Sequence, residues 1–353
     1  MTILGGLDIH RGQVTFDYVD TRSGEVFGGQ IADPHRHRFR EWLDGLPDRD
    51  CEFVMEGCTG WRYLVEELEA AGMRARVADP AEAAALKGKK KRAKTDRADA
   101  KHLRMLLVDD RVPDSWIAPA HVDEVRALGR LYLDLRNCRA SWNQRVHATL
   151  FHHGAPRVSA ELFTEAGQSQ ARTYGAELPE VNRHAIETSL TMISSVSTEM
   201  VTTRKRLQWI GRHQIGARAI GAVYGIGELT GAVTWAELGD VSRFRSSSQA
   251  VRHSGLDITV YESDANRAPG RITRQGPPAL RWALFEAAMS ATKPASPDHP
   301  YYQQVSKRVH HKAAVLSVAR KHARRCYHIL KDLGPDALAE PNPPRATPPP
   351  LHT

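Results

Sequence analysis

Two long stretches of this chain, residues 122–150 and 181–210, constrain its fold more than any other feature of the sequence. In each stretch the large apolar residues recur at alternating steps of four and three, a spacing that places them on one face of an α-helix. The pattern predicts a helical coiled-coil hairpin with helices roughly 40–45 Å long, at about 1.5 Å per residue. Such a hairpin would serve as a dimerisation arm or as a spacer. The stripe residues are Leu128, Tyr132, Leu135, Trp142 and Val146, with Arg139 as an interruption, and then Ile186, Leu190, Ile193, Met200 and Leu207.

The first 112 residues have the pattern of an α/β domain. Short apolar and β-branched runs predict five strands, and longer amphipathic runs predict three helices. The strands are Ile3–Ile9, Gln13–Asp20, Glu25–Ile31, Cys51–Met55 and Arg74–Val77, and the helices are Arg36–Leu46, Thr59–Ala71 and Thr95–Leu107. Three strands, a helix and then alternating strands and helices is the order of an RNase H-like fold, although other α/β domains share parts of it.

The rest of the chain completes a predicted division into four parts. Residues 213–333 predict a second compact unit that is mostly helical, and residues 154–175 predict turns between the two long helices. The tail, residues 334–353, holds seven prolines and few large apolar residues, which predicts disorder. The expected parts are therefore 1–112, 113–212, 213–333 and the tail.

The sequence also suggests a location. It has no run of about 18 apolar residues, so we expect no membrane span. Its N-terminus leads straight into the first predicted strand, which is unlike a signal peptide. The four cysteines form no paired metal-binding motif, and a reducing compartment suits them. We expect a cytoplasmic protein.

The chain has 49 Lys and Arg against 41 Asp and Glu, a formal net charge of +8, and the positive charge is clustered. One cluster lies on a predicted helix within residues 305–329, and the apolar residues of that helix would face a core. Clusters of this kind bind nucleic-acid phosphates without reading the sequence, or they form ordinary solvated surface. The other cluster is a predicted loop, the basic loop, with six cations in eight residues: Lys87, Lys89, Lys90, Lys91, Arg92 and Lys94.

Four acidic residues in the first part stand out by their positions. Asp8 interrupts the apolar first strand and Glu56 follows a later strand, while Asp96 and Asp99 share one face of a predicted helix. Carboxylates that converge from two strands and a helix repel one another, and divalent cations relieve that repulsion. Carboxylate oxygens suit Mg²⁺ or Mn²⁺, and two such ions support phosphoryl transfer. The alternative is four surface acids, with Asp96 as a helix cap.

Segments around these acids resemble the motifs of the DEDD-type insertion-sequence transposases. The N-terminal domain of that family is similar to the Holliday-junction resolvase RuvC and has an RNase H fold. In the family, the aspartate of the first strand, the later glutamate and the two helix aspartates hold Mg²⁺, and the resemblance assigns those roles to the four acids above. This sequence has a cysteine at Cys58, where the family motif more usually has a small or polar residue. The matching segments are Gly6–His10, Met55–Gly60 and Lys94–Ala100, the last being the most specific.

The second compact unit carries two further motifs. Ile220–Gly231 predicts a helix, a Gly-x-Gly turn at Gly225 and Gly227, and another helix. The backbone N–H groups of such a turn can bind a phosphate, and the alternative is plain turn chemistry. This segment resembles the start of the C-terminal domain of the same transposases.

Residues 254–288 resemble the remainder of that C-terminal domain. In the family a serine of this region joins covalently to DNA, and it corresponds best to Ser263. Three basic residues, Arg267, Arg271 and Arg274, would hold the phosphate and spread the developing charge. The acidic neighbours of the serine, Glu262 and Asp264, and the Pro277-Pro278 pair depart from the family pattern.

The resemblance spans about residues 3–330 and implies a DNA transposase or recombinase. Family members work on donor and target DNA as homo-oligomers, dimers or tetramers, and a structured RNA from the element's own end guides them. Two protomers would combine the acidic cluster of one with the serine of the other. Two other classes stay open: a metal-dependent junction nuclease that uses water, and a non-catalytic nucleic-acid-binding protein. The nuclease would form no covalent protein–DNA species.

Overall fold

A computed structural model of the chain describes residues 1–87, 95–259, 261–263, 266–268, 270–340 and 350–351; for 261–263 and 266–268 it describes the backbone alone. The chain forms two compact units, Met1–Ile117 and Ala118–Thr353. The predicted α/β character of the first part and the helical character of the second are confirmed. Within the described residues, no helix has the length and the apolar character that a membrane span needs.

The first unit is built on a five-stranded mixed sheet in the order β3-β2-β1-β4-β5. Strand β1 pairs antiparallel with β2 and parallel with β4, and β5 continues the parallel side. Each strand predicted from the sequence is present to within one residue at either end. The strands are β1 Ile3–Ile9, β2 Gln13–Asp20, β3 Val26–Ala32, β4 Cys51–Glu56 and β5 Arg74–Ala78.

Helices cover both faces of this sheet. Helices α1 and α2 bury Phe39 and Leu64 on one face, whereas α4 buries Leu103 on the other. The sequence analysis missed the short helix α3, although Asp79 caps it by accepting hydrogen bonds from the backbone N of Ala81 and of Glu82. The helices are α1 Arg36–Asp44, α2 Trp61–Ala70, α3 Pro80–Leu86 and α4 Asp96–Val108.

Nine helices and one short β-hairpin make up the described part of the second unit. The two long helices, α5 and α7, pack against each other. All five predicted stripe residues of α7 are buried, and three of those of α5 are. The coiled-coil geometry itself stays a prediction. The elements are α5 Ala120–His152, α6 Glu165–Gly175, α7 Glu180–His213, α8 Ile215–Gly221, α9 Glu228–Leu238, α10 Ser247–His253, β6 Tyr261–Ser263, β7 Asn266–Ala268, α11 Pro278–Ala288, α12 His299–Ser306 and α13 His311–Leu333.

The turns predicted for residues 165–175 are wrong, and the disorder predicted for the tail is contradicted at its first residues. Residues 165–175, predicted as turns, form α6, which Thr164 caps by accepting a hydrogen bond from the backbone N of Gly167. The start of the tail is also ordered. Residues 334–338 form a 3₁₀ turn, and the carbonyl of Ala337 accepts hydrogen bonds from Gln214 and Trp235. Residues 341–349 and 352–353 lie outside the described part of the chain.

Candidate catalytic site

The side chains of strand β1 point alternately to the two faces of the sheet. Leu7 packs with α1 and α2, whereas Leu4 packs in the cluster formed with α4. Gly6 also lies on the α4 side, because a Cβ at this position would lie 2.2 Å from the carbonyl oxygen of Ala100. Side chains alternate along a strand, so Asp8 follows Gly6 onto the face that the start of α4 covers.

Glu56 lies on the strand beside Asp8. β1 and β4 are parallel with Leu7 opposite Met55, so Asp8 and Glu56 are the next residues at the same edge of the sheet. Val54 packs in the α4 cluster, and the alternation therefore brings Glu56 to the same face. Burial raises the pKa of the Cys58 thiol, and the negative charges of Glu56 and Asp8 raise it further.

The first turn of α4 contributes the other two predicted acids. Thr95 caps the helix, and Asp96 and Asp99 follow where the helix dipole favours negative charge. Gln13 Nε2 donates a hydrogen bond of 2.8 Å to Oδ2 of Asp96. Lys87, which the sequence predicted as a nucleic-acid contact, places its Nζ 2.8 Å from Oδ1 of Asp99. The structure thus gives Lys87 an intramolecular carboxylate partner.

His10 joins this cluster, although the sequence analysis did not select it. Its Nε2 lies 3.3 Å from Oδ2 of Asp8 and 3.4 Å from Oδ1 of Asp96. One ligand atom from each of these three residues lies within 4.8 Å of the other two, a spacing that could hold a metal ion. The available signal was strand alternation, because His10 follows Asp8 by two residues.

The environment of Asp8 fits a divalent cation. Its side chain is 17% exposed, and its buried Oδ2 faces His10 Nε2 at 3.3 Å without a hydrogen bond of normal geometry. Thr15 is the residue opposite Asp8 on β2. Its Oγ1 is buried and has no hydrogen-bond partner among the described residues. Burial raises the pKa of Asp8; His10 opposes this, and Asp99 and Asp96 raise the pKa further. A bound cation would offset both the burial and the repulsion.

The structure therefore brings together part of the predicted metal site. Asp8 and Asp96 meet around His10, Asp99 is held by Lys87, and Glu56 lies beside Asp8 at the sheet edge. This arrangement is compatible with the predicted ligand set, which stays a prediction. The remaining cations of the basic loop, Lys89, Lys90, Lys91, Arg92 and Lys94, lie outside the described residues.

In the second unit, Ser263 is the last residue of β6, and it is paired with Asn266 of β7. The side chains of Ser263 and Arg267 lie outside the described part of the chain. Arg271 and Arg274 follow the hairpin and are exposed. His253, which sequence reasoning treated as structural, is bonded to the carbonyl of Glu237, and burial lowers its pKa to about 4.

The two glycines predicted to bind phosphate have structural roles of their own. Gly225 has a φ of +89°, and a Cβ there would lie 2.1 Å from Oγ of Ser290. The N–H of Gly227 donates to Oγ1 of Thr230, at 3.0 Å. Both facts agree with plain turn chemistry, and phosphate binding at this turn stays a prediction.

Part of the predicted cationic surface on α13 pairs with a buried acid. Asp298 is 2% exposed and lies between Lys321, His322 and Arg325 of α13. Lys321 Nζ and Arg325 Nη2 each donate to Oδ1 of Asp298 at 2.8 Å. These cations therefore pair with a buried acid, which the sequence analysis did not single out.

Two transposase families match the chain. Residues 5–153 match a family described as "Transposase", of the DEDD type of IS110 elements, and residues 217–303 match the "Transposase IS116/IS110/IS902 family". A curated "Probable family 20 transposase" of Pseudomonas aeruginosa is 22% identical over 293 residues, covering 82% of this chain and 83% of that protein. The first match includes the four predicted acids and the second includes Ser263.

Proposed function

Because the chain belongs to the DEDD-type insertion-sequence transposases, we propose that it cuts and rejoins DNA strands with a divalent-cation site around Asp8 and with Ser263 as the nucleophile. The first unit would be RNase H-like, and its order of three strands, a helix and then alternating strands and helices supports this. The observation that carries the acidic site is the cluster of Asp8, His10 and Asp96, whose potential ligand atoms all lie within 4.8 Å of one another.

Asp8, Glu56, Asp96 and Asp99 would hold Mg²⁺ or Mn²⁺ in this proposal. When bound, the ion supplies positive charge that stabilises the charge developing on a phosphate. The protein's own part is to keep the carboxylates in position. Gln13 orients Asp96, and Lys87 neutralises Asp99, so the cluster does not spread apart by repulsion.

Ser263 would take the covalent step. Its Oγ attacks a phosphodiester phosphorus, a Ser–O–P bond forms as the P–O bond to one deoxyribose breaks, and the leaving oxygen receives a proton. Rejoining is the reverse attack by a DNA hydroxyl on the phosphoserine. Arg267, Arg271 and Arg274 would hold the phosphate, because guanidinium groups match its oxygens.

The proposed partners are donor and target DNA, a second copy of the chain and a structured guide RNA. The DNA partners follow from the transposase family, whereas the RNA and the oligomer rest on the resemblance alone. Base pairing by an RNA would supply sequence choice to a protein whose basic clusters contact phosphates.

The test is to trap the covalent intermediate. Labelled DNA with the element's own ends is incubated with protein and Mg²⁺, the mixture is denatured, and protein-linked label is measured on a gel. We expect a labelled band with the wild type, and its loss in Ser263→Ala and in Asp96→Asn. Ser248→Ala, an exposed serine on α10, is the matched control and should keep the band.

Two outcomes would contradict the proposal. A band that persists in Ser263→Ala would exclude this serine as the nucleophile. DNA cleavage by the wild type with no labelled band would indicate a nuclease that uses water.

A further inference from the structure

A groove in the second unit shares Arg271 and Arg274 with the proposed chemistry, but its apolar walls have no role there. It encloses about 650 Å³. One wall is the backbone segment that flanks the β6–β7 hairpin, with Ile258 and Ile272. The other is the turn between α12 and α13, with Val309, and the first turns of α13, with Leu316.

The walls of the groove expose aliphatic side chains to solvent. Ile258 is 49% exposed and Val309 is 41% exposed, and they come from different elements of the chain. A single exposed aliphatic residue needs no explanation, but two that meet in one concavity indicate a binding site. Covering them would be favourable, because apolar surface is stabilised when it is removed from water.

Cationic groups line the same groove. Arg271, Arg274 and Arg320 are among its residues, and none of the described lining residues is acidic. Arg320 Nε donates to the carbonyl of Leu256 at 2.6 Å, which fixes its guanidinium at the wall. Within the described part of the chain, no hydrogen bond or ion pair engages the side chains of Arg271 and Arg274.

The N-terminus of α13 adds to this positive potential. His310 caps the helix with its ring Nδ1, and no acid lies in the first turn. The start of a helix this long carries a partial positive charge. The groove therefore combines apolar walls with a positive rim, a combination that matches a flat apolar group bearing a negative charge.

The groove lies close to the proposed nucleophile along the chain. Ile258 and Ile272 form an isolated β-bridge, and the paired strands β6 and β7, with Ser263, lie between these two residues in the sequence. Ser263 lies five positions after Ile258, a span of at most about 18 Å. A strand attacked at Ser263 could therefore reach the groove within a few nucleotides.

We propose that this groove binds an unpaired nucleotide of the DNA strand at the serine hairpin, with its base against Ile258 and Val309 and its phosphate at Arg271 and Arg274. A base in duplex DNA is stacked on both faces, so the groove would select a strand that is already opened. This inference rests on the proposed function for the identity of the strand, whereas the binding itself depends only on the groove.

The test measures binding of short oligonucleotides to the full-length Ser263→Ala protein by fluorescence anisotropy. The probes are labelled oligodeoxyuridylate of about eight nucleotides, the same length of abasic DNA, and oligouridylate RNA. We expect the base-containing DNA to bind about fivefold to tenfold more tightly than abasic DNA, since one base face would cover a small patch of aliphatic surface and remove it from water. Val309→Ser should remove most of that difference.

Two further variants separate the contributions. Arg271→Gln should weaken the binding of both DNA probes by a similar factor, because it removes a phosphate contact. Val201→Ser is the matched control, an equally small change at a valine of α7 that is 51% exposed outside the groove. It should change neither affinity. Val309 lies in a turn and is partly exposed, so its replacement should leave the melting temperature nearly unchanged.

The proposal would be overturned if Val309→Ser kept the full preference for bases, or if the RNA probe bound more tightly than the DNA probe. Failure of the proposed function is distinguishable, because it appears as a missing covalent adduct in the wild type. That result would leave the affinities of the Ser263→Ala protein as they are.

Discussion

At the scale of single residues, the acidic site depends on a position that has no side chain. Gly6 allows α4 to lie directly on β1, where a Cβ would lie 2.2 Å from the carbonyl O of Ala100 and 2.6 Å from the backbone N of Arg104. Backbone atoms of a helix cannot move aside as a flexible side chain can. The close approach brings the first turn of α4, with Asp96, to Asp8.

We therefore expect Gly6→Ala to displace α4 and separate Asp96 from Asp8. Overpacking of this kind costs about 1–3 kcal/mol or more, so the melting temperature should fall and Mn²⁺ binding, followed by paramagnetic resonance, should weaken. Gly12→Ala in the same unit is the matched control, because a Cβ there meets nothing within 4 Å. Normal Mn²⁺ binding by Gly6→Ala would show that helix packing does not assemble the site.

At the scale of secondary-structure elements, one buried acid ties α12 to α13. Asp298 immediately precedes α12 and faces Lys321, His322 and Arg325. Hydrogen bonds from Arg325 hold the pKa of Asp298 well below its usual range, against the effect of burial, and Lys321 adds to this. Val305 and Val309, which line the groove, belong to α12 and the turn that this acid anchors.

The depressed pKa predicts how stability depends on pH. The folded state holds Asp298 ionised below the unfolded pKa of about 3.9, so the stabilisation is complete above that pH and is lost as the pH falls below it. Asp298→Asn should lower the free energy of unfolding by about 2 kcal/mol near neutral pH, because it removes the charged acceptor of hydrogen bonds from Lys321 and Arg325, which are themselves partly exposed.

Thermal melts of the wild type and of Asp298→Asn at several pH values measure this effect. The gap between the two melting temperatures should be constant above about pH 5 and should narrow toward pH 3. His322 contributes little to this window, since burial lowers its pKa and its partner is Asp298 itself. A gap independent of pH would mean that the cost of the substitution comes from packing.

At the scale of the whole molecule, the proposed metal ligands and the proposed nucleophile belong to different compact units. Asp96 lies in Met1–Ile117 and Ser263 in Ala118–Thr353. A serine hydroxyl is a weak nucleophile near neutral pH and needs an activating group. Among the described residues of its own unit, His253 is the histidine that lies within ten positions of Ser263 in sequence, and it is held by Glu237 with a lowered pKa.

The family resemblance implies that the acids of one protomer act with the serine of another, so we expect the active site to be shared between protomers. Ser263→Ala and Asp96→Asn proteins should each be inactive, and an equal mixture should regain about one quarter of the wild-type strand exchange if dimers form at random. In such a mixture half of the dimers are mixed, and each mixed dimer has one complete site. Strand exchange on labelled DNA measures this recovery. A mixture as inactive as its components would place both groups in one chain.

Much of this protein was predictable from local patterns in the sequence. The strands of the first unit and the two long helices follow from the spacing of apolar residues, because burial of one face imposes that spacing on any strand or helix. The acids at the strand ends and at the start of α4 were found because their positions stand out once the strands and the helix are predicted. Their identification with a metal site came from the family motifs.

The tertiary structure alone decided which distant groups meet. The imidazole of His10 lies between Asp8 and Asp96, and Gln13 bonds to Asp96 across 83 positions of sequence. The same applies to Asp298, whose partners on α13 had looked like solvent-facing cations. Local spacing carries no information on these pairs, because their energy depends on burial and on distances that exist only after separate elements have packed together.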